Sequence, residues 1–267
     1  MLKCFPLFAC HQSDAGVSQI YFFLVGFLTY MLLERCMKID SGNQILRVAV
    51  FYDGTFFLKV SDYYRFKHSI ARFIDFPGLE NFIINTVARH ESVRDIGSCK
   101  IIESHFFRGR MTEFQLREVK KDQNDAFMFM RKERLIDELL MRNNTVIHSY
   151  ELRKDFYTEK FKEKGIDVWL ALEAYDLAVH KKFDILVLFA GDEDYVPLVR
   201  KVNSLATKVA VMAFDIEFAD DLGKPRKIKS SMRLIDEASF TIDLDATVAA
   251  AKTTEEKAAR DKIFAIE

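Results

Sequence analysis

Apolar and polar positions vary along the chain in a pattern typical of strands that alternate with helices. Short runs dominated by β-branched and aromatic residues predict five buried strands, and a shorter sixth run follows them. Between the runs, apolar side chains recur at intervals of three and four residues, as in Leu79, Phe82 and Ile83, which predicts helices. The predicted strands cover residues 45–52, 99–107, 145–151, 184–189, 207–214 and 240–244.

This alternation predicts an α/β fold with a three-layer, doubly wound and mostly parallel sheet. Right-handed crossovers between parallel strands are expected to give the first five the order 3-2-1-4-5. Residues 56–76 lack a clear period and predict a loop with a short helix. The domain is predicted over residues 45–245. Residues 246–267 are rich in Ala, Lys and Glu, and we expect a charged C-terminal tail there, either a solvated helix or a frayed end.

An uncharged apolar segment, residues 17–33, lies within an N-terminal extension, residues 1–44. Its length reaches only the lower limit for a helix that crosses a bilayer. Three interpretations stay open: a membrane anchor with Arg35 and Lys38 on the cytoplasmic side, a helix packed on the domain, or a start codon assigned too early. We favour the last, with Met37 as the true start, because the predicted domain begins shortly afterwards. Membrane contact is expected only if the segment is an anchor.

Composition narrows the classes of function. Hydrophobic residues make up 49% of the 267 residues and charged ones 30%, which excludes a disordered chain. Lys and Arg total 39 against 40 for Asp and Glu, so any contact with nucleic acid must use a local basic patch. The four cysteines form no CxxC pair, which argues against a disulfide framework or a structural zinc site. We therefore expect a reduced, cytoplasmic protein.

Aspartates follow the ends of two predicted strands. Asp53 comes directly after the first strand, and Asp192 follows the fourth. In the order 3-2-1-4-5 these strands are neighbours at the point where doubly wound folds bind ligands. Asp194 lies two residues after Asp192, and Asp167 opens the helix before the fourth strand. We therefore expect the four carboxylates to converge on one crevice.

Converging carboxylates repel and raise one another's pKa unless a cation compensates for their charge. A hard divalent ion takes oxygen ligands of this kind, can activate water and can neutralise charge on a phosphoryl oxygen. The pattern therefore favours hydrolysis of phosphodiester bonds. Each residue also has a structural explanation, with Asp53 as a turn residue and Asp167 and Asp194 as helix caps or first-turn acids. We favour a site, because the acids are pooled at strands that should be adjacent.

Three segments resemble PIN-like NYN-domain ribonucleases, also called LabA-like: VAVFYDGTFF, KGIDVWLALEAYDLA and DILVLFAGDEDYVPLVRKV. The resemblance spans about residues 47–244 and implies a PIN-like fold and a metal-dependent endoribonuclease that uses Mg²⁺ or Mn²⁺. It also implies the catalytic residues and metal ligands, which would be Asp53, Asp167, Asp192 and Asp194. Glu173, at a position where the family commonly has Asp, is a further metal ligand implied by the resemblance.

One position departs from the family pattern. The family often has Asn three residues after the first aspartate, and this chain has Phe56 there. Asn can hydrogen-bond to a ligated carboxylate or a water, whereas Phe cannot. The alternative function is therefore a catalytically weak or inactive NYN-type module that binds RNA or regulates another process.

RNA recognition requires positive charge near the crevice. Arg108 and Arg110 follow the second strand, and Lys164 ends a basic stretch that leads into Asp167, so we predict that these three basic residues bind RNA. The same stretch is equally consistent with a solvated charged surface. Aromatic residues within 63–66 either stack on bases or pack beneath the site. RNA is thus the expected partner, and a homo-oligomer is left open.

Overall fold

Strands with almost no exposed side chains form the centre of the molecule. The computed structural model describes residues 45–119, 122–155 and 158–265, all within a unit that begins at Ile45. The predicted extension 1–44, with its apolar segment 17–33, lies outside the described residues. Among the helices described, none is both long enough and apolar enough to span a bilayer.

Six strands form one sheet, namely β1 (Leu46–Asp53), β2 (Cys99–Arg110), β3 (Val146–Glu151), β6 (Ile185–Phe189), β7 (Lys208–Ala213) and β10 (Phe240–Asp243). Their order is β3-β2-β1-β6-β7-β10, and all of the strand pairs are parallel. Two antiparallel pairs lie outside this sheet, namely β4 (Arg153–Lys154) with β5 (Phe161–Lys162), and β8 (Asp215–Ala219) with β9 (Pro225–Lys229). The predicted order is confirmed, because β6 and β7 are the predicted fourth and fifth strands.

Helices cover both faces of the sheet. They are α1 (Gly54–Phe66), α2 (Phe76–His90), α3 (Glu113–Val119), α4 (Gln123–Arg142), α5 (Ile166–Lys181), α6 (Val196–Asn203), α7 (Met232–Glu237), α8 (Leu244–Ala250) and α9 (Thr254–Asp261). Successive side chains of β1 point to opposite faces. Val50 and Tyr52 therefore join the core beneath α1 and α2, whereas Ala49 and Phe51 join the core beneath α5 and α6. The predicted three-layer α/β fold is confirmed.

The segment predicted as a loop with a short helix, residues 56–76, differs in the structure. Helix α1 starts directly after β1 and continues for 13 residues. Phe57, Val60 and Tyr64 are buried at helical spacing, but exposed or half-buried aromatic residues between them obscure the period. Because Tyr64 is fully buried in the core, it is not available to stack on a base.

The C-terminal residues contribute to the core, which corrects the expectation of a frayed or solvated tail. Helix α9 is exposed, but Ile263 and Phe264 after it are buried. The backbone N–H of Asp75 donates to the carbonyl of Ile263 over 2.9 Å, and Phe264 bridges to Ile74. A Cβ atom on Gly78 would lie 1.9 Å from the carbonyl oxygen of Lys262. Only glycine therefore allows this approach between the first turn of α2 and the C-terminal segment.

Candidate functional site

The carboxyl ends of β1 and β6 open into a cleft of about 500 Å³. These two strands are adjacent, and Tyr52 pairs with Phe189 at their ends. The residues that follow them therefore meet at the same edge of the sheet, where the strand order reverses. The acidic residues that line the cleft are Asp53, Glu163, Asp167, Asp192 and Glu193.

Tyr195 connects two of the predicted aspartates. Its hydroxyl donates to Oδ1 of Asp167 over 2.7 Å and lies 3.5 Å from Oδ2 of Asp53. Burial and the neighbouring carboxylates, Asp53 foremost, raise the pKa of Tyr195 well above its ordinary value. Tyr195 thus stays protonated and acts as a hydrogen-bond donor between carboxylates that are 114 residues apart in sequence, the difference between positions 53 and 167.

Asp53 lies where a negative charge is unfavourable. Burial, together with the negative charges of Asp167 and Glu163, raises its pKa from 3.8 to about 6, although the backbone N–H of Phe56 and the nearby Lys59 lower it. A carboxylate with this pKa is ionised at neutral pH at a cost in free energy, which a bound cation would offset. The other donors around it are carboxylate oxygens, which are the ligands that Mg²⁺ and Mn²⁺ take. The donor set therefore fits a hard divalent ion.

The two acids of the Gly-Asp-x-Asp segment have different positions. Asp192 lines the cleft and caps a single 3₁₀ turn (Glu193–Tyr195), because its Oδ1 accepts the backbone N–H of Asp194 over 3.1 Å. The side chain of Asp194 is exposed and is not part of the cleft lining. Of the four predicted aspartates, Asp53, Asp167 and Asp192 are brought together, and Asp194 contributes through its backbone.

Glu163 is a cleft residue that the sequence pattern did not reveal. It follows β5, and its carboxylate accepts the hydroxyl of Thr55 at 2.7 Å and the backbone N–H of Gly109 at 2.7 Å. Its neighbours in sequence, Lys162 and Lys164, make the segment look basic. No periodicity indicates which side chain of this segment turns inwards, since the small β4–β5 pair sets its direction.

Phe56 also lines the cleft, where the resemblance expects Asn. Its ring packs edge to face with Phe189 and Phe214, at centroid distances of 6.0 and 5.8 Å. A Cβ atom on Gly191 would lie 2.4 Å from this ring. Gly191 thus leaves the space that Phe56 fills, and one wall of the cleft is apolar.

The comparison with protein-family models agrees with this architecture. The family model described as NYN domain matches residues 47–245, which is most of the chain. The chain belongs to the NYN-domain family. A solved structure, that of a protein of unknown function VPA0982 from Vibrio parahaemolyticus RIMD 2210633, is 15% identical, with a TM-score of 0.44. The match covers 77% of this chain and 96% of that one. No curated protein matches the chain significantly.

Glu173 of this NYN domain lies away from the acidic cleft, so its predicted role there needs correction. It lies six residues after Asp167 on α5, which places the two side chains about 120° apart around the helix. Glu173 faces His105 and His148 instead, and one ligand atom from each of the three residues lies within 4.8 Å of the others. Burial, with His105 as a further cause, lowers the pKa of His148 to about 4.

Arg108 is not available to RNA, which corrects its predicted role. Strand β2 continues to Arg110, so that both arginines lie on the strand and face α4. Arg108 is only 2% exposed and pairs with Glu133 at 3.2 Å and with Asp137 at 2.6 Å. Arg110 pairs with the same two acids. A buried guanidinium needs such partners, and they hold it inside the protein.

The basic residues that line the cleft of the NYN domain are Lys59, Lys227 and Lys229. Asp215 pairs with both Lys227 and Lys229 at 3.0 Å, within the β8–β9 hairpin. Lys164, a predicted RNA-binding residue, is exposed but does not line the cleft. The positive charge at the cleft therefore comes from α1 and β9 rather than from the stretch before Asp167.

Proposed function

We propose that this NYN-domain protein is a metal-dependent endoribonuclease that hydrolyses RNA phosphodiester bonds. The observation that carries the proposal is the convergence of Asp53, Asp167 and Asp192, from three distant segments, on one cleft at the switch point of the sheet. Membership of a family that is generally nuclease-like supports the same function. We expect the protein to act in the cytoplasm.

Asp53, Asp167 and Asp192 would hold Mg²⁺ or Mn²⁺, and Glu163 supplies a fourth carboxylate to the same cleft. When bound, such an ion would activate water and offset the charge that develops on the phosphoryl oxygens. Tyr195 keeps its proton, donates to Asp167 and so orients that carboxylate. Asp194 acts as a positioning residue, since its backbone N–H orients the carboxylate of Asp192.

The cleft also carries the charges that a phosphate backbone needs. Lys227 and Lys229 are side by side on one face of β9, and Lys59 lies one turn into α1. Lys59 makes no ion pair among the residues that the structure describes. We expect these lysines to contact phosphates on either side of the scissile bond, with Lys164 as an outer contact. Such contacts make binding dependent on salt concentration.

A cleavage assay on the full chain tests the proposal. We expect Mn²⁺ to support cleavage of a mixed-sequence single-stranded RNA, and EDTA to stop it. Asp192→Asn should lower the rate at least about 100-fold, as is typical for removing one charge-stabilising group of an active site. Asp176→Asn, at an exposed position on α5 that pairs with His180, is the matched control and should cleave normally.

Cleavage by Asp192→Asn at the wild-type rate would overturn the assignment of this cleft as the active site. The same holds if no RNA is cleaved under any metal condition while Mn²⁺ shows no specific binding in a calorimetric titration. One purified sample of each variant is sufficient for both the cleavage assay and the Mn²⁺ titration.

A second function is favoured by one observation, the ring of Phe56 in the cleft wall. A side chain without hydrogen-bonding atoms cannot orient a water or a ligated carboxylate. The second proposal is therefore a module that binds RNA and turns over slowly or not at all. It predicts saturable RNA binding in a fluorescence anisotropy assay, with Mn²⁺ bound at the cleft but without cleavage.

A further inference from the structure

A second cluster of metal-binding side chains lies on three elements that are distant in sequence. His105 is on β2, His148 on β3 and Glu173 on α5. His148 pairs with Phe107 in the register of β2 and β3, two residues after His105, so that both histidines point to the α5 face. Glu173 lies one turn after Trp169, whose ring contacts that of His148 edge to face at 5.0 Å.

We propose that His105, His148 and Glu173 form a second metal site, which binds Zn²⁺. Two imidazole nitrogens and one carboxylate oxygen are the donor set of many three-ligand zinc sites, in which water takes the fourth position. A nitrogen-rich set also selects Zn²⁺ and related ions over Mg²⁺, whereas the all-oxygen cleft at Asp53 favours Mg²⁺ or Mn²⁺. The two sites are therefore chemically distinct, although Asp167 and Glu173 are only about 9 Å apart along the axis of α5.

The hydrogen bonds around His105 support the assignment. His105 is 4% exposed, and its Nε2 lies 3.1 Å from Oε2 of Glu103, to which it donates. This bond leaves the lone pair of Nδ1 directed at Nε2 of His148, 3.0 Å away. A carboxylate that fixes the tautomer of a histidine ligand is the usual outer partner in metal sites. Glu103 in turn pairs with Lys181 at 3.1 Å, so its own charge is compensated.

The surrounding packing holds the imidazoles in place before any ion binds. The ring of His148 stacks on Phe107 with a centroid distance of 4.1 Å, and that of His105 stacks on Phe51 at 4.8 Å. In contrast to Glu103, Glu173 has no ion pair or hydrogen bond among the described residues. A bound ion would explain why a carboxylate without a cationic partner lies beside two imidazoles.

The site would connect α5 to the hydrogen-bonded pair of strands β2 and β3. Among the described strands, β3 is at the edge of the sheet and pairs only with β2. A metal that joins β2, β3 and α5 would therefore stabilise this edge, and binding to the folded state raises the melting temperature by mass action.

Zinc titration of the full chain, in excess Mg²⁺ to occupy the acidic cleft, tests the proposal. We expect one equivalent of Zn²⁺ to bind and to raise the melting temperature, and Co²⁺ in its place to give the visible absorption of a four-coordinate site. His148→Phe keeps the ring stacked on Phe107 but removes the nitrogens, and should abolish both signals. Glu173→Gln should weaken binding at least about 100-fold, and Glu103→Gln about 10- to 100-fold.

Two controls separate this site from its surroundings. His180→Gln, at an exposed position on the same helix, and Asp53→Asn, in the acidic cleft, should both bind Zn²⁺ as the wild type does. If His148→Phe misfolds, Glu173→Gln at its half-buried position still tests the site. Zinc binding that survives His148→Phe and Glu173→Gln, or that disappears in Asp53→Asn, would overturn the proposal. So would an absence of binding, because the histidines would then form only a hydrogen-bonded pair. These results are independent of whether the protein cleaves RNA.

Discussion

At the scale of single residues, Asp53 has two roles that oppose each other when no cation is bound. Its side chain caps α1 by accepting the backbone N–H of Phe56 over 3.0 Å. The same position is half-buried beside Asp167 and Glu163, and the pKa of Asp53 rises to about 6. The folded state therefore disfavours ionisation of Asp53. Carboxyl groups with a pKa raised in this way are common in ligand-binding and catalytic sites.

The raised pKa predicts a stability effect with a definite sign. Protonated Asp53 favours the folded state, and this contribution is complete below about pH 4 and is lost as the pH rises to about 6. At neutral pH in EDTA, we expect Asp53→Asn to be more stable than the wild type by up to about 3 kcal/mol. Asn has no charge to repel and is an equally good helix cap. Denaturant unfolding measures the difference in the free energy of unfolding.

The pH and the metal supply internal controls for this prediction. The difference should vanish below about pH 4, as Asp53 of the wild type becomes uncharged in both the folded and the unfolded state. Saturating Mn²⁺ should reverse the order, since only the wild type retains the carboxylate ligand. Asp176→Asn should not show either change. An Asp53→Asn protein that is less stable than the wild type in EDTA at neutral pH would show that the charge of Asp53 does not destabilise the folded state.

At the scale of elements, the β8–β9 hairpin brings positive charge to the acidic cleft. Lys227 and Lys229 alternate with Ile228, which is buried, so that both lysines point to the same side. Asp215 on the paired strand keeps the two ammonium groups close together. Glu217 also pairs with Lys227, at 2.7 Å. A polyanion can compete with these two carboxylates, because the ion pairs are half exposed and therefore weak.

Replacing both lysines by Gln is expected to weaken RNA binding and to reduce its salt dependence. The slope of log K against log salt should fall by about 1 for each phosphate contact that is lost. Anisotropy titrations at several salt concentrations, in EDTA to prevent cleavage, measure this slope. Lys208→Gln is the matched control, because Lys208 starts β7 at the opposite end of the sheet and pairs with Glu91. An unchanged slope in the double variant would exclude the hairpin as the RNA contact.

The elements also explain which site residues could be predicted. Asp53 and Asp192 were predictable because they follow strands whose order the alternation of strands and helices determines. Arg108 was not, since its burial depends on Glu133 and Asp137, four residues apart on α4 and turned towards the end of β2. Glu163 depends in a similar way on the β4–β5 pair. Where a charged side chain points is decided by neighbours that no local pattern specifies.

At the scale of the whole molecule, the two candidate metal sites differ in how the fold assembles them. Asp53 and Asp192 of the acidic cleft lie at strand ends, a position that follows from the sheet order. The histidine cluster uses the middle of β2, the edge strand β3 and the second turn of α5, so its ligands have no characteristic spacing. Cysteine and histidine motifs in sequence were therefore uninformative, and only the register of β2 and β3 brings His105 and His148 together.

The C-terminal segment shows the same dependence on the whole fold, and it predicts where the domain can be cut. Phe264 is 1% exposed and packs on Tyr64 of α1 at a centroid distance of 5.0 Å. Phe264→Ala should lower the free energy of unfolding by about 3–5 kcal/mol, as for other buried aromatic residues. Phe66→Ala, at a position 63% exposed on α1, should change it by no more than about 0.5 kcal/mol. Denaturant unfolding of both variants measures these changes in the free energy of unfolding. Equal stability of the two would mean that the segment after α9 is dispensable and that the domain ends near residue 245. A large difference would mean that α1, which begins at the cleft residue Asp53, depends on the C-terminal residues for its position.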